Sequence, residues 1–410
     1  MGVRKGLRRL FKIILLLVAA GVALVVLLYL LNSFYFHLLE DPAAALAKEP
    51  VTPPEADSGD ARNLNAVLEP IRREHKLPAL AAAAVRNGKI TALGAVGARR
   101  AGHAERVGLN DRFHIGSCTK SMTATLCAIL IEQGKLKWNT TIAESFPELA
   151  DKIRPEYRAV TLEQLLNHRS GLPEDRQPDA VVWPKILSLT GPLKEQRHAL
   201  VEIVLQQAPT AAPGAKHQYS NDGYAVVGAM CEQATGRPWE DLMRELLFEP
   251  LAMTTAGFGP PGHAEKMDEP WGHLLDGFTW RPLPPGPDAD NPAVIAPAGT
   301  VHCSLGDWAR YAVLHLQGER GEAKLLKAET FRKLHTPLPG DDYAYGWLVD
   351  ERDWAGGKVL MHAGTNGFWF AVIWLAPNRN SGYLAATNLA NHAAEEACDT
   401  VVAELIETSK

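Results

Sequence analysis

Hydrophobic residues fall along the chain in three different rhythms. From Ile13 to Leu31 they form one uncharged run of 19 residues, preceded by Arg4, Lys5, Arg8, Arg9 and Lys12 and followed by no charge until Glu40. As a helix such a run reaches about 28 Å, close to the hydrocarbon thickness of a bilayer. Residues 41–62 are rich in Pro, Ala and acid without any apolar period, the composition of a stalk. A second rhythm of short apolar runs appears near both ends of what remains. Ala79–Arg86 and Lys89–Val96 flank Asn87-Gly88, a hairpin signal, and Tyr343–Val349, Lys358–Met361, Trp369–Leu375 and Tyr383–Asn388 read as later strands. The third rhythm is helical. Ser117–Gln133 is apolar nearly all round and stops at Gly134, which predicts a helix buried at the centre of the molecule. Thr161–Asn167 and Trp239–Phe248 are helical stretches in a middle region, 140–300, cut by Pro- and Gly-rich loops, and Ala393–Thr408 closes the chain as a helix. Strands at both ends with helices between predict an α/β fold of α+β type. Its antiparallel sheet is built from both chain ends, flanked by helices and interrupted by an inserted, mostly helical region.

The 410 residues, 46% of them apolar, suffice for a large core. Lys and Arg total 42 against 47 Asp and Glu, and the net charge of -5 leaves no field to gather nucleic acid. The local charge at the N-terminus matters more, because five cations before an apolar run hold their side of the membrane cytoplasmic. This predicts a basic cytoplasmic segment (1–12), a transmembrane signal-anchor helix (13–31), an extracytoplasmic stalk (32–61) and a folded domain (62–410) at the cell surface or in the periplasm. Cleavage after Ala45-Leu46-Ala47 is the alternative, although that triplet lies well beyond the apolar run. Five cysteines are an odd number, so at least one thiol stays free. Cys118 and Cys127 cannot pair on one helix, where nine residues span about 13.5 Å against a limit of about 7 Å.

Three short motifs carry possible chemistry. Ser117 is the only serine with a lysine three residues later, and on a helix Lys120 shares its face. A hydroxyl at a helix start also lies where the dipole favours developing negative charge. The bland reading is a capping serine and a solvated lysine, but an amine within an apolar helix demands a partner. Tyr219-Ser220-Asn221 follows 102 residues on, just before the turn-forming Asp222-Gly223. His362-Ala363-Gly364-Thr365 ends the strand that starts at Lys358, and its glycine permits close approach of another backbone or a ligand. Cys118 points about 100° away from its neighbour Ser117 and reads as packing. No Cys-x-x-Cys, His-Glu-x-x-His, dinucleotide or phosphate loop occurs, so neither metal nor cofactor is expected.

In this order, S-x-x-K, Y-x-N and H-x-G resemble the active-site set of the serine β-lactamase and penicillin-binding-protein (DD-peptidase) superfamily. The spacing is similar to its class C branch, which also contains carboxylesterases and D-amino peptidases. Phe113-His114-Ile115-Gly116, the stretch Leu165 to Pro173, Pro297-Ala298-Gly299-Thr300 and Tyr345-Gly346-Trp347 resemble that family's framework, and the resemblance covers residues 62–408. It implies a serine hydrolase that works through an acyl-enzyme. Ser117 attacks a carbonyl, Lys120 or Tyr219 takes its proton, and the backbone N–H groups of Ser117 and of Thr365, after Gly364, hold the oxyanion. Asn221 orients the substrate amide or the lysine. His362 stands where the family has the lysine of Lys-Thr-Gly and is expected to meet the far end of the substrate, neutral near pH 7 and gaining charge toward pH 6. That substitution disfavours efficient penicillin hydrolysis and leaves ester or amide hydrolysis open. The expected partners are an acyl-bearing small molecule or peptide and the membrane. The alternatives are a catalytically idle, penicillin-binding-like scaffold or a true β-lactamase.

Overall fold

The computed structural model describes residues 61–174, 182–276 and 279–409; the basic segment, the apolar run 13–31 and residues 32–60 lie outside them. Among the described residues no helix is long and apolar enough to cross a membrane. Strand β1 (Arg62–Asn63) and helix α1 (Asn65–Glu74) lead into a hairpin of β2 (Ala79–Arg86) and β3 (Lys89–Gly97). Asn87 and Gly88 make its turn at φ 51° and 76°, the two left-handed residues a tight hairpin needs to match strand twist. The later strands are β4 (Tyr343–Ala344), β5 (Trp347–Arg352), β6 (Gly357–Thr365), β7 (Phe370–Ala376) and β8 (Ser381–Thr387). All eight join one sheet in the order β1-β3-β2-β8-β7-β6-β5-β4. Only the β1–β3 pair is parallel. Early β2 lies beside late β8, with Arg86 opposite Ser381 and Leu80 opposite Thr387, so the two ends of the domain do build one sheet.

β2 is almost wholly apolar because both of its faces are covered. Ala81, Ala83 and Val85 join the larger core, which surrounds helix α2 (Thr119–Glu132) and includes helices α3 (Asn221–Thr235) and α4 (Leu305–Gly318). Leu80, Ala82 and Ala84 face a second core under α1 and the last helix, α5 (His392–Glu407). In α2 every residue from Thr119 to Leu130 is buried, as its all-round apolar pattern requires. Its hydroxyls are satisfied locally: Thr125 donates to Ser121 O at 2.9 Å and Ser121 to Cys118 O at 3.0 Å. All five cysteines are buried and free, including Cys118.

Several boundaries differ from the sequence expectation. The central helix does not begin at Ser117, which lies in a 3-10 turn, Gly116–Cys118, that feeds into α2. The stretch Trp239–Phe248 is α-helical only to Met243 and then widens into a π-turn, Arg244–Phe248. Tyr343–Val349 is not one strand, because Tyr345 and Gly346 at φ 48° and 91° break it between β4 and β5. β6 runs on through Thr365, so His362 lies within the strand and not at its end. The inserted region also contains strands, a ribbon of Gly272–Asp276 with Thr279–Leu283 and Gly257–Phe258, which joins Val301–Cys303 and Phe113–His114 from its borders in a small three-stranded patch.

Candidate active site

Gly116 turns the chain from Phe113–His114 into the 3-10 turn at φ 50°, a value glycine adopts at little cost. This turn abuts the end of β6. A Cβ on Gly116 would lie 2.3 Å from Thr365 N, and one on Gly364 would lie 2.1 Å from Ile115 O and 2.6 Å from Ser117 N. Both glycines are therefore required for backbone to touch backbone, and their contact brings the backbone nitrogens of Ser117 and Thr365 close together. Ser117 itself is half-buried and Thr365 exposed.

Lys120 is fully buried, so its amine must be paired. Nζ lies 3.1 Å from Ser117 Oγ, 2.6 Å from Asn221 Oδ1 and 2.8 Å from Ala298 O. The Ala298 carbonyl is delivered by the Pro297-Ala298-Gly299-Thr300 segment, which is pinned along α2. Thr123 Oγ1 donates to Pro297 O at 2.7 Å, and Val301 N donates to Thr119 Oγ1 at 3.1 Å. Gly228 on α3 makes room for this segment, since a Cβ there would meet Pro297 Cγ at 2.3 Å. Nζ also sits 4.6 Å from the Tyr219 ring centroid and 5.6 Å from that of Tyr224, within cation–π reach. Tyr219 OH completes the cluster by donating to Ser117 Oγ at 2.8 Å.

Tyr219 and Asn221 owe their placement to the start of α3. Ser220 caps the helix, its Oγ accepting from Gly223 N at 3.2 Å. Asp222-Gly223 thus forms the first helical turn and not the separate turn that its composition suggests, and the acidic Asp222 suits the positive end of the helix. His168 braces the loop from behind at φ 55°. Its Nδ1 accepts from Ser220 N at 3.1 Å, its carbonyl accepts from Gln218 N at 2.7 Å, and its ring lies 4.3 Å from that of Tyr219. Burial, with the nearby Lys120 charge, holds the His168 ring neutral, well below the usual histidine range. The Leu165-to-Pro173 stretch, framework by sequence, is therefore what fixes Tyr219.

His362 is 5% exposed. Its Nδ1 donates to Ala363 O at 2.6 Å, which leaves Nε2 to accept from Tyr343 OH at 3.2 Å. Burial first, and the Lys120 charge second, push its pKa down to about 3. The expectation that this ring gains charge near pH 6 is corrected: no cation stands at this position in the neutral range. Sequence reasoning missed Tyr343, the bracing role of His168 and the Ala298 carbonyl. The last has no residue signature, since any side chain carries the same backbone oxygen.

A sequence profile described as Beta-lactamase matches residues 64–406. Penicillin-binding protein 4 of Amycolatopsis lactamdurans is 28% identical over 331 residues, 78% of this chain and 82% of that protein. Among solved structures, the octameric penicillin-binding protein homologue from Pyrococcus abyssi superposes with a TM-score of 0.67 at 23% identity, over 84% of this chain and 77% of its own. A D-stereospecific amidohydrolase from Streptomyces sp. superposes with a TM-score of 0.62 at 23% identity, over 80% of this chain and 94% of its own.

Proposed function

Since the chain belongs to the serine β-lactamase and penicillin-binding-protein superfamily, we propose that it is a hydrolase that opens an ester or amide through an acyl-enzyme on Ser117. One observation carries this reading: Ser117 Oγ is within hydrogen-bond reach of both Lys120 Nζ and Tyr219 OH. Asn221 Oδ1 and Ala298 O can only accept, so they commit two N–H bonds of Nζ and leave its remaining position aimed at Oγ. To take the serine proton one member of the Lys120–Tyr219 pair must be deprotonated, the amine as NH2 or the phenol as phenolate; that member accepts the proton as Oγ attacks the carbonyl and gives it to the leaving group as the acyl-enzyme forms. Water then repeats the sequence to release the acid. Asn221 serves the lysine in this scheme. The N–H groups of Ser117 and Thr365 receive the oxyanion, each such donor contributing about 2.7–4 kcal/mol.

The neutral His362 supplies no charge for a substrate carboxylate, which favours carboxylesters and D-amino acid amides over penicillins and peptides with a free terminal carboxylate. The similarity in fold to a D-stereospecific amidohydrolase supports the amide branch of that class. The domain is held outside the cytoplasm by a single span at 13–31, a reading supported by the five cations before that run.

A fluorophosphonate probe tests the nucleophile. Wild type should be labelled and Ser117→Ala should not, while Lys120→Ala and Tyr219→Phe should each lose more than about a hundredfold in kcat. An unlabelled wild type would point to the idle scaffold, and label surviving in Ser117→Ala would overturn the assignment. A panel of p-nitrophenyl esters, D-amino acid anilides and nitrocefin ranks the substrate classes, and rapid nitrocefin turnover would make it a β-lactamase. For the anchor, full-length protein should stay in membranes through a carbonate wash. A product beginning at Lys48 would show cleavage instead.

A further inference from the structure

Asp290 stands outside the cluster around Ser117, yet its carboxylate holds one side chain from each of the two segments that meet there, His114 and Asn366. Its side chain is 4% exposed, and both of its oxygens lie 3.0 Å from Nε2 of the wholly buried His114. Nδ1 of His114 lies 3.1 Å from Gly116 N. A backbone N–H can only donate, so Nδ1 is the bare nitrogen and Nε2 carries the proton directed at Asp290. The carboxylate thereby selects the tautomer that can hold Gly116. On the other side, Asn366 Nδ2 donates to Asp290 Oδ1 at 2.8 Å and to Ala289 O at 3.3 Å. Asn366 Oδ1 accepts from the N–H groups of Phe368 and Trp369 at 3.1 and 3.2 Å. Asp290 Oδ1 also accepts from Asn291 N at 2.7 Å.

The sequence positions give this network its meaning. Gly116 immediately precedes Ser117, and Asn366 immediately follows Thr365. Each segment turns at a glycine with positive φ, Gly116 at 50° and Gly367 at 91°, so beyond the backbone packing at Gly116 and Gly364 the tilt of the peptide planes beside Ser117 and Thr365 is set by the hydrogen bonds of this network. We propose that Asp290, acting through His114 and Asn366, is a positioning residue that aligns the two halves of the oxyanion hole. The inference rests on the reading of Ser117 and Thr365 as the oxyanion donors. Asp290 touches neither substrate nor nucleophile. It governs where two N–H bonds point, and a tilt there costs rate without costing ground-state binding.

The test is Asp290→Asn, which keeps the shape but removes the charge and one of the two acceptors, so that a single neutral oxygen is left to serve His114 Nε2, Asn366 Nδ2 and Asn291 N. With a p-nitrophenyl ester, kcat should fall by about ten- to a hundredfold while KM stays within about threefold. The discriminating measurement compares this ester with its thiono analogue, in which sulfur replaces the carbonyl oxygen. Donors placed for oxygen give wild type a preference for the oxo ester, and Asp290→Asn and Asn366→Ala should each shrink that preference by about tenfold. Partial unfolding lowers both rates alike and leaves the ratio unchanged, so a constant ratio overturns the proposal even if activity drops. His114→Asn places an amide oxygen near the former Nδ1 and keeps an acceptor for Gly116 N. Asp290→Asn added to it should therefore cost less than in wild type, and an equal cost would remove His114 from the chain of contacts. A wild type that turns over neither ester overturns the serine-hydrolase reading itself. Turnover that depends on Ser117 with Asp290→Asn unchanged overturns only this inference.

Discussion

His362 is of the residue type whose charge changes most readily near neutral pH, and its surroundings decide that it carries none. With its pKa pushed down to about 3 by burial and by Lys120, the ring is neutral from pH 8 to 6. On the proposed hydrolase activity, kcat/KM for a D-Ala-D-Ala peptide bearing a free carboxylate, relative to a neutral ester, should therefore change by less than about twofold across that range. A rise with a midpoint near pH 6.5 would show the ring to be exposed and its contact with Tyr343 absent. The residue types at the site were legible in the sequence. Ser117, Lys120, Tyr219 and Asn221, separated by up to 104 positions, were singled out by chemistry and order and do converge in space. The state of His362 was not legible, because desolvation depends on what packs over a ring and leaves no mark in its local sequence. Asp290 was overlooked for a similar reason: nothing near it in the chain announces that His114 and Asn366 converge on it.

Among the elements, the break between β4 and β5 shows how a strand can be interrupted for the sake of a helix. Gly346 presses on α2 so closely that a Cβ would lie 2.4 Å from Ser121 N and 2.7 Å from Lys120 C. At φ 91° it also has a backbone conformation that suits glycine alone. Gly346→Ala should cost about 2–4 kcal/mol and reduce kcat by shifting Lys120, as read by chemical denaturation and by ester turnover. Stability within 1 kcal/mol of wild type would mean that the contact relaxes freely. The sequence shows an apolar run here but not its interruption, since the pressure comes from a helix more than 200 residues earlier. A second element contact joins the end of α4 to β6. Glu319 Oε1 accepts from His335 Nδ1 at 2.6 Å and from Lys358 Nζ at 2.5 Å. Burial works to raise this carboxyl, but the two hydrogen bonds and their charges overcome it and hold the pKa down to about 2. A carboxylate depressed on folding contributes stability that is full above about pH 4.5 and is lost as pH falls toward 2. Allowing for partial exposure, Glu319→Gln should lose about 2 kcal/mol at pH 7 and much less at pH 3, as measured by urea midpoints at the two values. An equal loss at both would assign the effect to packing.

For the folded domain as a whole, the decisive feature is that β2 pairs with β8. The described ends meet as well: Arg62 Nη2 lies 3.3 Å from Thr408 Oγ1, and Arg86 Nη1 is 2.6 Å from Ser409 O. A circular permutant that joins residue 409 to residue 62 through a short linker and opens at the exposed Gly340 should keep its ester turnover and melt within about 5 °C of the original domain. Loss of the fold would show that the order of the strands in the chain, and not only their order in the sheet, is needed. Synthesis gives the same arrangement a cost in time. Ala79, whose carbonyl finally accepts from Thr387, leaves the ribosome 308 residues before its partner, a delay of roughly 15–60 s at ordinary translation speeds. For that interval the β2–β3 hairpin is a sticky edge with no neighbour, open to pairing with other nascent chains. Until the last strand arrives, β2 has only its own hairpin partner, and the sheet closes in a single late step.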